Sequence, residues 1–186
     1  MKNQIIISIK MLLLMTVFTG LIYTMFITGI SQLFFREKAN GSIIQHVGSE
    51  LIGQKFTSDK YFWSRPSATD YNPLPSGGSN LGMTSKALQN NALANTSNFR
   101  AKNELSESTI VPNEMIFSSA SGLDPHISVQ SANLQVKRIA KARNINESAI
   151  VQLIANLKEN RQFLFLGEER INVLLLNLEL DKIAKQ

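Results

Sequence analysis

The sequence predicts an α+β protein in which one N-terminal transmembrane helix is followed by a single mixed, helix-rich globular domain. Three observations carry that expectation. From Met11 to Phe35 run 25 residues without a charge. From Tyr61 to Ser85 the chain is dense in proline and glycine. Beyond that, apolar residues recur at helical spacing behind capping residues.

The uncharged run, MLLLMTVFTGLIYTMFITGISQLFF, lies between Lys10 and the cluster Arg36-Glu37-Lys38. As a helix it would measure about 37 Å, enough to cross a hydrocarbon core roughly 30 Å thick with some tilt. A secretory signal has a shorter apolar stretch and a small-x-small cleavage site, whereas charges follow Phe35 here, so the run reads as an uncleaved anchor. This divides the chain into a short tail (1–10), a membrane helix (11–35) and an extramembrane α+β domain (36–186). Lys2, Lys10 and the terminal amine ahead of the span outweigh Arg36 and Lys38 behind it by a small margin, which favours a cytoplasmic N-terminus and an external domain. Thr16, Gly20, Thr24 and Thr28 recur every four residues. Small side chains let helices approach closely in lipid, so these four are the candidates for packing on a partner helix.

Ser42 to Leu51 either continues the helix or begins the domain. The following segment holds Pro66, Pro73, Pro75, Gly77, Gly78 and Gly82, which lack donors or permit unusual backbone, so it reads as turn-rich, with a short strand at Tyr61 to Trp63. Tyr61, Phe62, Trp63, Arg65 and Tyr71 argue that it is ordered, because aromatic groups supply apolar area to bury. Thr84 caps a helix from Ser85 towards Leu105 with a thin apolar face of Leu88, Ala92 and Phe99. Ile110 to Ser118 supplies a strand, and Ser119 to Ser128 (SASGLDPHIS) a second turn. A helix from Ser128 ends near Asn144, a residue that tolerates the left-handed cap. Asn146 caps the next helix, whose face is Ile150, Leu153, Ile154 and Leu157. In the C-terminal RINVLLLNLELDKIAKQ the leucines alternate as in a strand, but Asn172 as a cap and Lys182 and Lys185 in the last turn favour helix.

Composition removes several function classes. The net charge is +5, and without Lys2 and Lys10 the rest has 17 basic against 14 acidic residues. That is too mild, and too poor in modules, for a nucleic-acid binder. There is no cysteine, hence no disulfide or thiolate zinc site, and the two histidines, His46 and His126, stand eighty positions apart. Ser121, Asp124 and His126 are the residue types of a hydrolytic triad. Three groups packed into six residues of one turn rarely reach triad geometry, however, and no G-x-S-x-G elbow is present. The expected role of Asp124 is to bond nearby backbone amides. No G-x-x-x-x-G-K-[ST] run exists either. The run Lys137, Arg138, Lys141 and Arg143 reads as a solvated helix face, with anionic lipid or a partner as the alternative.

Several motifs, in order, carry a resemblance over nearly the whole chain: LIGQ at 51–54, YFWSRPSA at 61–68, Tyr71-Asn72, SGGSNLG at 76–82, SASGLDPHIS at 119–128, a basic helix with R-x-A-x-A-R at 138–143, and INVLLLNLELD at 171–181. With its single anchor, the chain resembles the C subunit of the Kdp system, the high-affinity potassium-transporting P-type ATPase of bacterial and archaeal cell membranes. Met83 and Ser85, and Asn113-Glu114, depart from the family pattern. The resemblance implies a non-catalytic accessory subunit beside a potassium-translocating subunit, a P-type ATP-hydrolysing subunit and a small single-helix subunit. It also implies a role in assembly and a chaperone-like increase in the ATP affinity of the hydrolysing subunit. No cofactor would be firmly bound. Any ATP would be shared with that partner, through Ser76, Gly77, Gly78 and Ser79 by analogy with the signature of ABC transporters. An external domain cannot reach cytoplasmic ATP, so the topology and that analogy conflict. The alternative from another class is an independent membrane-anchored hydrolase or solute-binding module.

Overall fold

In the computed structural model, residues 2–44 and 47–183 are described, and they fall into two compact units that meet between Ser49 and Glu50. His46 and Lys185 lie outside the described residues.

The first unit is dominated by one continuous helical rod, Lys2–Phe34, long and apolar enough to cross a membrane and with no buried residue. It comprises α1 (Lys2–Val17), a π-helical turn (Phe18–Tyr23) and α2 (Thr24–Phe34). The helix therefore starts nine residues before the uncharged run, taking in Lys2 and Lys10, because nothing in KNQIIISIK breaks a helix. Thr24 Oγ1 donates to the carbonyls of Gly20 (2.7 Å) and Leu21 (3.0 Å), which lie inside the π turn. A side-chain hydroxyl thus serves carbonyls whose usual helical bonding the wider turn disturbs. A short helix α3 (Arg36–Ala39) and the antiparallel pair β1 (Ile43–Ile44) and β2 (Gly48–Ser49) follow, so the chain after the anchor turns back in a hairpin and does not extend the helix.

The second unit is helix-rich with few strand residues. It contains α4 (Lys86–Lys102), α5 (Asn113–Ile116), β3 (His126–Ile127), α6 (Val129–Asn133), α7 (Val136–Arg143), α8 (Glu147–Leu157), β4 (Ile171–Asn172) and α9 (Val173–Ile183). β3 and β4 pair antiparallel, His126 opposite Asn172 and Ile127 opposite Ile171. The core brings Ile150 and Ile154 of α8 against Val173, Leu176 and Leu180 of α9, Ile139 of α7, Phe62 and Phe99. All of these are shielded from solvent, and every buried leucine-sized side chain contributes about 1.5–3 kcal/mol.

Local signals placed most helix ends. Asn144 sits in the left-handed region (φ 56°) after α7, and Asn146 Oδ1 accepts from Ser148 N (3.0 Å) to start α8. Ser128 Oγ accepts from Ser131 N (3.1 Å), and Asn172 Oδ1 from Leu175 N (3.1 Å). Four expectations are corrected. Ser85, not Thr84, caps α4, its hydroxyl accepting from Leu88 N. Residues 110–118 contain the one-turn α5 (Asn113–Ile116) and no strand, because Pro112 precedes a helical turn that buries Met115 beside the buried Val111. The helix expected from Ser128 to Asn144 is broken between Asn133 and Val136, where the Gln135 side chain is committed elsewhere. Residues 61–63 form no strand, for the reason given next.

Candidate functional site

The motif segments, scattered over 130 positions, bond one another within the second unit. At residues 62 and 63, helix side chains bond the backbone groups that a neighbouring strand would ordinarily meet. Phe62 N donates to Asn177 Oδ1 (2.8 Å) while Asn177 Nδ2 donates to Phe62 O (3.0 Å). Trp63 N donates to Gln135 Oε1 (2.8 Å), and Gln135 Nε2 returns a long bond to Trp63 O (3.5 Å). Both amides are buried, so each carries bonds that water cannot replace.

Arg138 completes this clamp. Its Nε donates to Asn103 Oδ1 (2.9 Å), Nη1 to the carbonyls of Asp59 (2.7 Å) and Tyr61 (3.0 Å), and Nη2 to Gln135 Oε1 (2.8 Å), and its guanidinium lies 4.1 Å from the centre of the Trp63 ring. Burial lowers its pKa to about 10, partly opposed by Asp59, which leaves it cationic at neutral pH. The expected basic face therefore does not exist as one surface. Arg138 is interior, Arg143 pairs with Asp181 (2.7 Å), and Lys137 and Lys141 both pair with Glu104. Helical spacing leaves Lys137 and Lys141 together at Glu104 but turns Arg138 inward, where the aromatic segment supplies the carbonyls that accept it.

Beside the clamp, Arg65 Nη1 donates to Asp124 Oδ2 at 2.6 Å, and the other carboxylate oxygen accepts from His126 N at 3.0 Å. Burial alone would raise the Asp124 pKa. The His126 hydrogen bonds and the Arg65 charge outweigh it and hold the group at about 2. Nearby, burial and the Asp70 charge push Tyr71 up to about 12 against a lowering hydrogen bond from Ser64, and its hydroxyl donates to Arg65 O at 2.5 Å. The LIGQ and SASGLDPHIS segments touch through backbone: Gly53 N donates to Leu123 O (2.7 Å), and a Cβ on Gly53 would come within 2.6 Å of Asp124 O. Only glycine allows that approach. Val173 N donates to Pro125 O, and Asn172 Nδ2 to Glu50 O, so the INVLLLNLELD motif closes the same junction.

The triad residues are not brought together as a triad. Ser121 Oγ accepts from Leu123 N (3.1 Å) as a turn bond, while the His126 ring is flanked by carboxylates, Asp124 Oδ1 3.6 Å from Nδ1 and Glu159 Oε1 3.8 Å from Nε2. Among the described residues no group of three or more His, Cys, Asp or Glu is arranged to hold a metal ion. Arg65, Glu114, Asp124, His126, Arg161 and Arg170 instead line an open polar cleft of about 750 Å³.

Gly78 and Ser79 line a second cleft, of about 540 Å³, facing Asn91 and Asn95 of α4. Ser76 and Ser79 are exposed, and Gly77 and Gly78 lie outside the left-handed region in a segment without a turn. A Cβ on Gly77 would meet nothing within 4 Å, whereas one on Gly78 would come within 3.2 Å of Ala120 O. The Gly-Ser segment thus lies along the SASGLDPHIS turn. In the first unit Thr16, Gly20, Thr24 and Thr28 follow the exposed rod through the π turn. Residues four apart drift by about 40° in an α-helix, and i→i+5 bonding widens the turn so that this spacing returns closer to one face.

Sequence reasoning missed the side-chain amides Gln135 and Asn177, the interior place of Arg138, and a hairpin over residues 159–170. Glu159 bridges Arg170 and Gln162 bridges Leu166 in that hairpin. Its sequence signal was Gly167 closing the apolar FLFL between charged residues.

The sequence profile of the family described as "K+-transporting ATPase, c chain" matches residues 5–182. Relatives named "Potassium-transporting ATPase KdpC subunit" include one from Koribacter versatilis, 44% identical over 97% of this chain and 95% of its own length. Another, from Geobacter metallireducens, is 44% identical over 98% of this chain and 99% of its own. A third, from Mycobacterium bovis, is 42% identical over 98% of this chain and the whole of its own length.

Proposed function

This chain belongs to the KdpC family of potassium-transporting ATPase subunits, and on that premise we propose that it is a non-catalytic, single-pass accessory subunit that acts through contacts with its partners. Those partners are the potassium-translocating subunit, the P-type ATP-hydrolysing subunit and a small single-helix subunit. Its contribution is to assembly of the complex and to the ATP affinity of the hydrolysing subunit. One observation supports this above the others: several polar groups that could otherwise carry chemistry are already engaged inside the fold. Asp124 is held by Arg65 and its own turn, and Gln135, Arg138 and Asn177 by the backbone of residues 59–63. Groups committed in this way hold a shape and are poor candidates for moving protons or attacking a substrate.

With the N-terminus cytoplasmic and the second unit outside, as the flanking charges favour, the effect on ATP affinity is transmitted through the partners. Expression of the complex with and without this chain tests the reading. Its omission should reduce recovery of the other subunits and raise the KM for ATP of whatever ATPase remains. Unchanged recovery together with unchanged KM would overturn it.

A further inference from the structure

The rod Lys2–Phe34 is about 50 Å long, whereas the hydrocarbon core of a bilayer is roughly 30 Å thick. Its uncharged residues 11–30 match that thickness, between Lys10 at one end and the polar pair Ser31-Gln32 at the other. Past that edge the side chains are apolar again: Leu33, Phe34 and Phe35 are 76%, 69% and 59% exposed. The chain does not leave the rod there. Asn40 ties it back, its side-chain amide exchanging hydrogen bonds of 3.2 and 3.3 Å with that of Gln32 around the helix end at Phe35. Ser42 N donates to Glu37 O (2.9 Å) and Ser49 Oγ to Gly41 O (2.6 Å), which holds the β1–β2 hairpin beside α3. Ile43 of that hairpin is 71% exposed, and so are Arg36 and Lys38 of α3 open to their surroundings. Among the described residues no ion pair takes up either cation.

We propose that residues 33–43 form an interfacial foot seated in the lipid headgroup layer at the C-terminal end of the span. Leu33, Phe34, Phe35 and Ile43 enter the acyl boundary, and Arg36 and Lys38 bind the phosphates of anionic phospholipids. This rests on the single-pass reading above and adds what sets the depth of the span. Continuity puts the bilayer there. Phe34 follows Ile30 by about 6 Å along the axis, within the about 5–10 Å over which interfacial side chains reach into the headgroup boundary. Successive helical residues also point about 100° apart, so Leu33 and Phe34 face different sides. A partner subunit covers one side of a helix, whereas apolar groups stepping round the axis match a layer that surrounds it. The charges agree with an anionic layer, because Arg36 and Lys38 stand against the single Glu37 and their stems can lie along apolar surface while the cations reach phosphate.

The chain has no cysteine, so a single fluorophore can be attached at a chosen site. The full chain with Ile43→Cys is labelled in vesicles of phosphatidylcholine and phosphatidylglycerol, alone and within the complex, with Ser108→Cys, exposed in the second unit, as control. Lipid bearing a nitroxide just below its headgroup should quench position 43 and spare position 108, with and without the other subunits. Equal quenching at the two positions, or quenching at 43 that disappears in the complex, would overturn the foot. The cations are read separately. At position 43, nitroxide-bearing phosphatidylglycerol should be enriched over nitroxide-bearing phosphatidylcholine by about fivefold or more. Arg36→Gln with Lys38→Gln should bring the two lipids to near equality. No enrichment, or enrichment untouched by that variant, removes the phosphate contacts. Extraction at alkaline pH separates this proposal from the reading beneath it. If the unlabelled full chain is released from the membrane, the single-pass reading falls; if it stays and the tests at position 43 are negative, only the foot does.

Discussion

Asn177 carries two hydrogen bonds that a neighbouring strand would ordinarily make, one to each side of the Phe62 peptide. Asn177→Leu would keep the volume and strand both Phe62 groups in the interior. We expect a loss of about 2–4 kcal/mol in the unfolding free energy of the full chain in detergent, read from a denaturant titration. Loss below about 0.5 kcal/mol would mean that water reaches the site. Asp124 gives a second prediction, in pH. Its folded pKa of about 2 lies below the ordinary carboxylate value, so its contribution is complete above about pH 4 and is lost as the pH falls towards 2. The size is on the order of 2 kcal/mol, and Asp124→Asn should remove that part of the acid dependence. An identical acid profile in the variant would show that Arg65 and the turn do not favour the charged form.

Among the elements, the turn at Gly122 and the Gly77 segment that lies against it make opposite demands. Gly122 has φ +70°, and a Cβ there would come within 2.8 Å of Thr69 Oγ1 and 2.9 Å of Gly77 O, both backbone strain and a clash. Gly122→Ala should therefore cost about 1–3 kcal/mol, while Gly77→Ala, with open space and no positive φ, should change stability by less than about 0.5 kcal/mol. Thermal unfolding of the two variants checks the contrast. Because Gly77→Ala spares the fold, it is also the clean probe of nucleotide contact at residues 76–79. A competable photo-ATP adduct on the wild-type chain in sealed membranes, lost in Gly77→Ala, would overturn the indirect route to ATP affinity. Gly78→Ala is a poorer probe, since it presses on Ala120.

For the whole molecule, the helical rod Lys2–Phe34 has no buried residue and is long and apolar enough to cross a membrane. The π turn and the Thr24 bonds to Gly20 and Leu21 keep Thr16, Gly20, Thr24 and Thr28 closer to one face than an unbroken α-helix would. A Cβ on Gly20 meets nothing within 4 Å of its own chain, so Gly20→Leu spares the chain itself and would act only on a helix packed against that face. We expect weaker co-purification with the other subunits in mild detergent, with Leu21→Ala little changed. Equal recovery of both variants would remove the stripe as a packing face.

The sequence by itself determined the features whose causes are local. An uncharged run long enough for a bilayer needs no distant partner, and the caps at Ser128, Asn144, Asn146 and Asn172 act within three residues of themselves. The turn role of Asp124 was legible for the same reason. Tertiary structure alone decided what depends on groups far apart in the chain. The expected strand at residues 61–63 failed because its hydrogen-bond partners are side chains more than seventy positions away, Gln135 and Asn177. The expected strand at 110–118 became a turn once Val111 and Met115 had a core to face. Arg138 reads as one more charge on a basic helix until the carbonyls of Asp59 and Tyr61 arrive to accept it. Periodicity reports which face of an element is apolar, but not which distant backbone its polar groups will meet, and the junction of Gly53, Arg65 and Asp124 is made of such meetings.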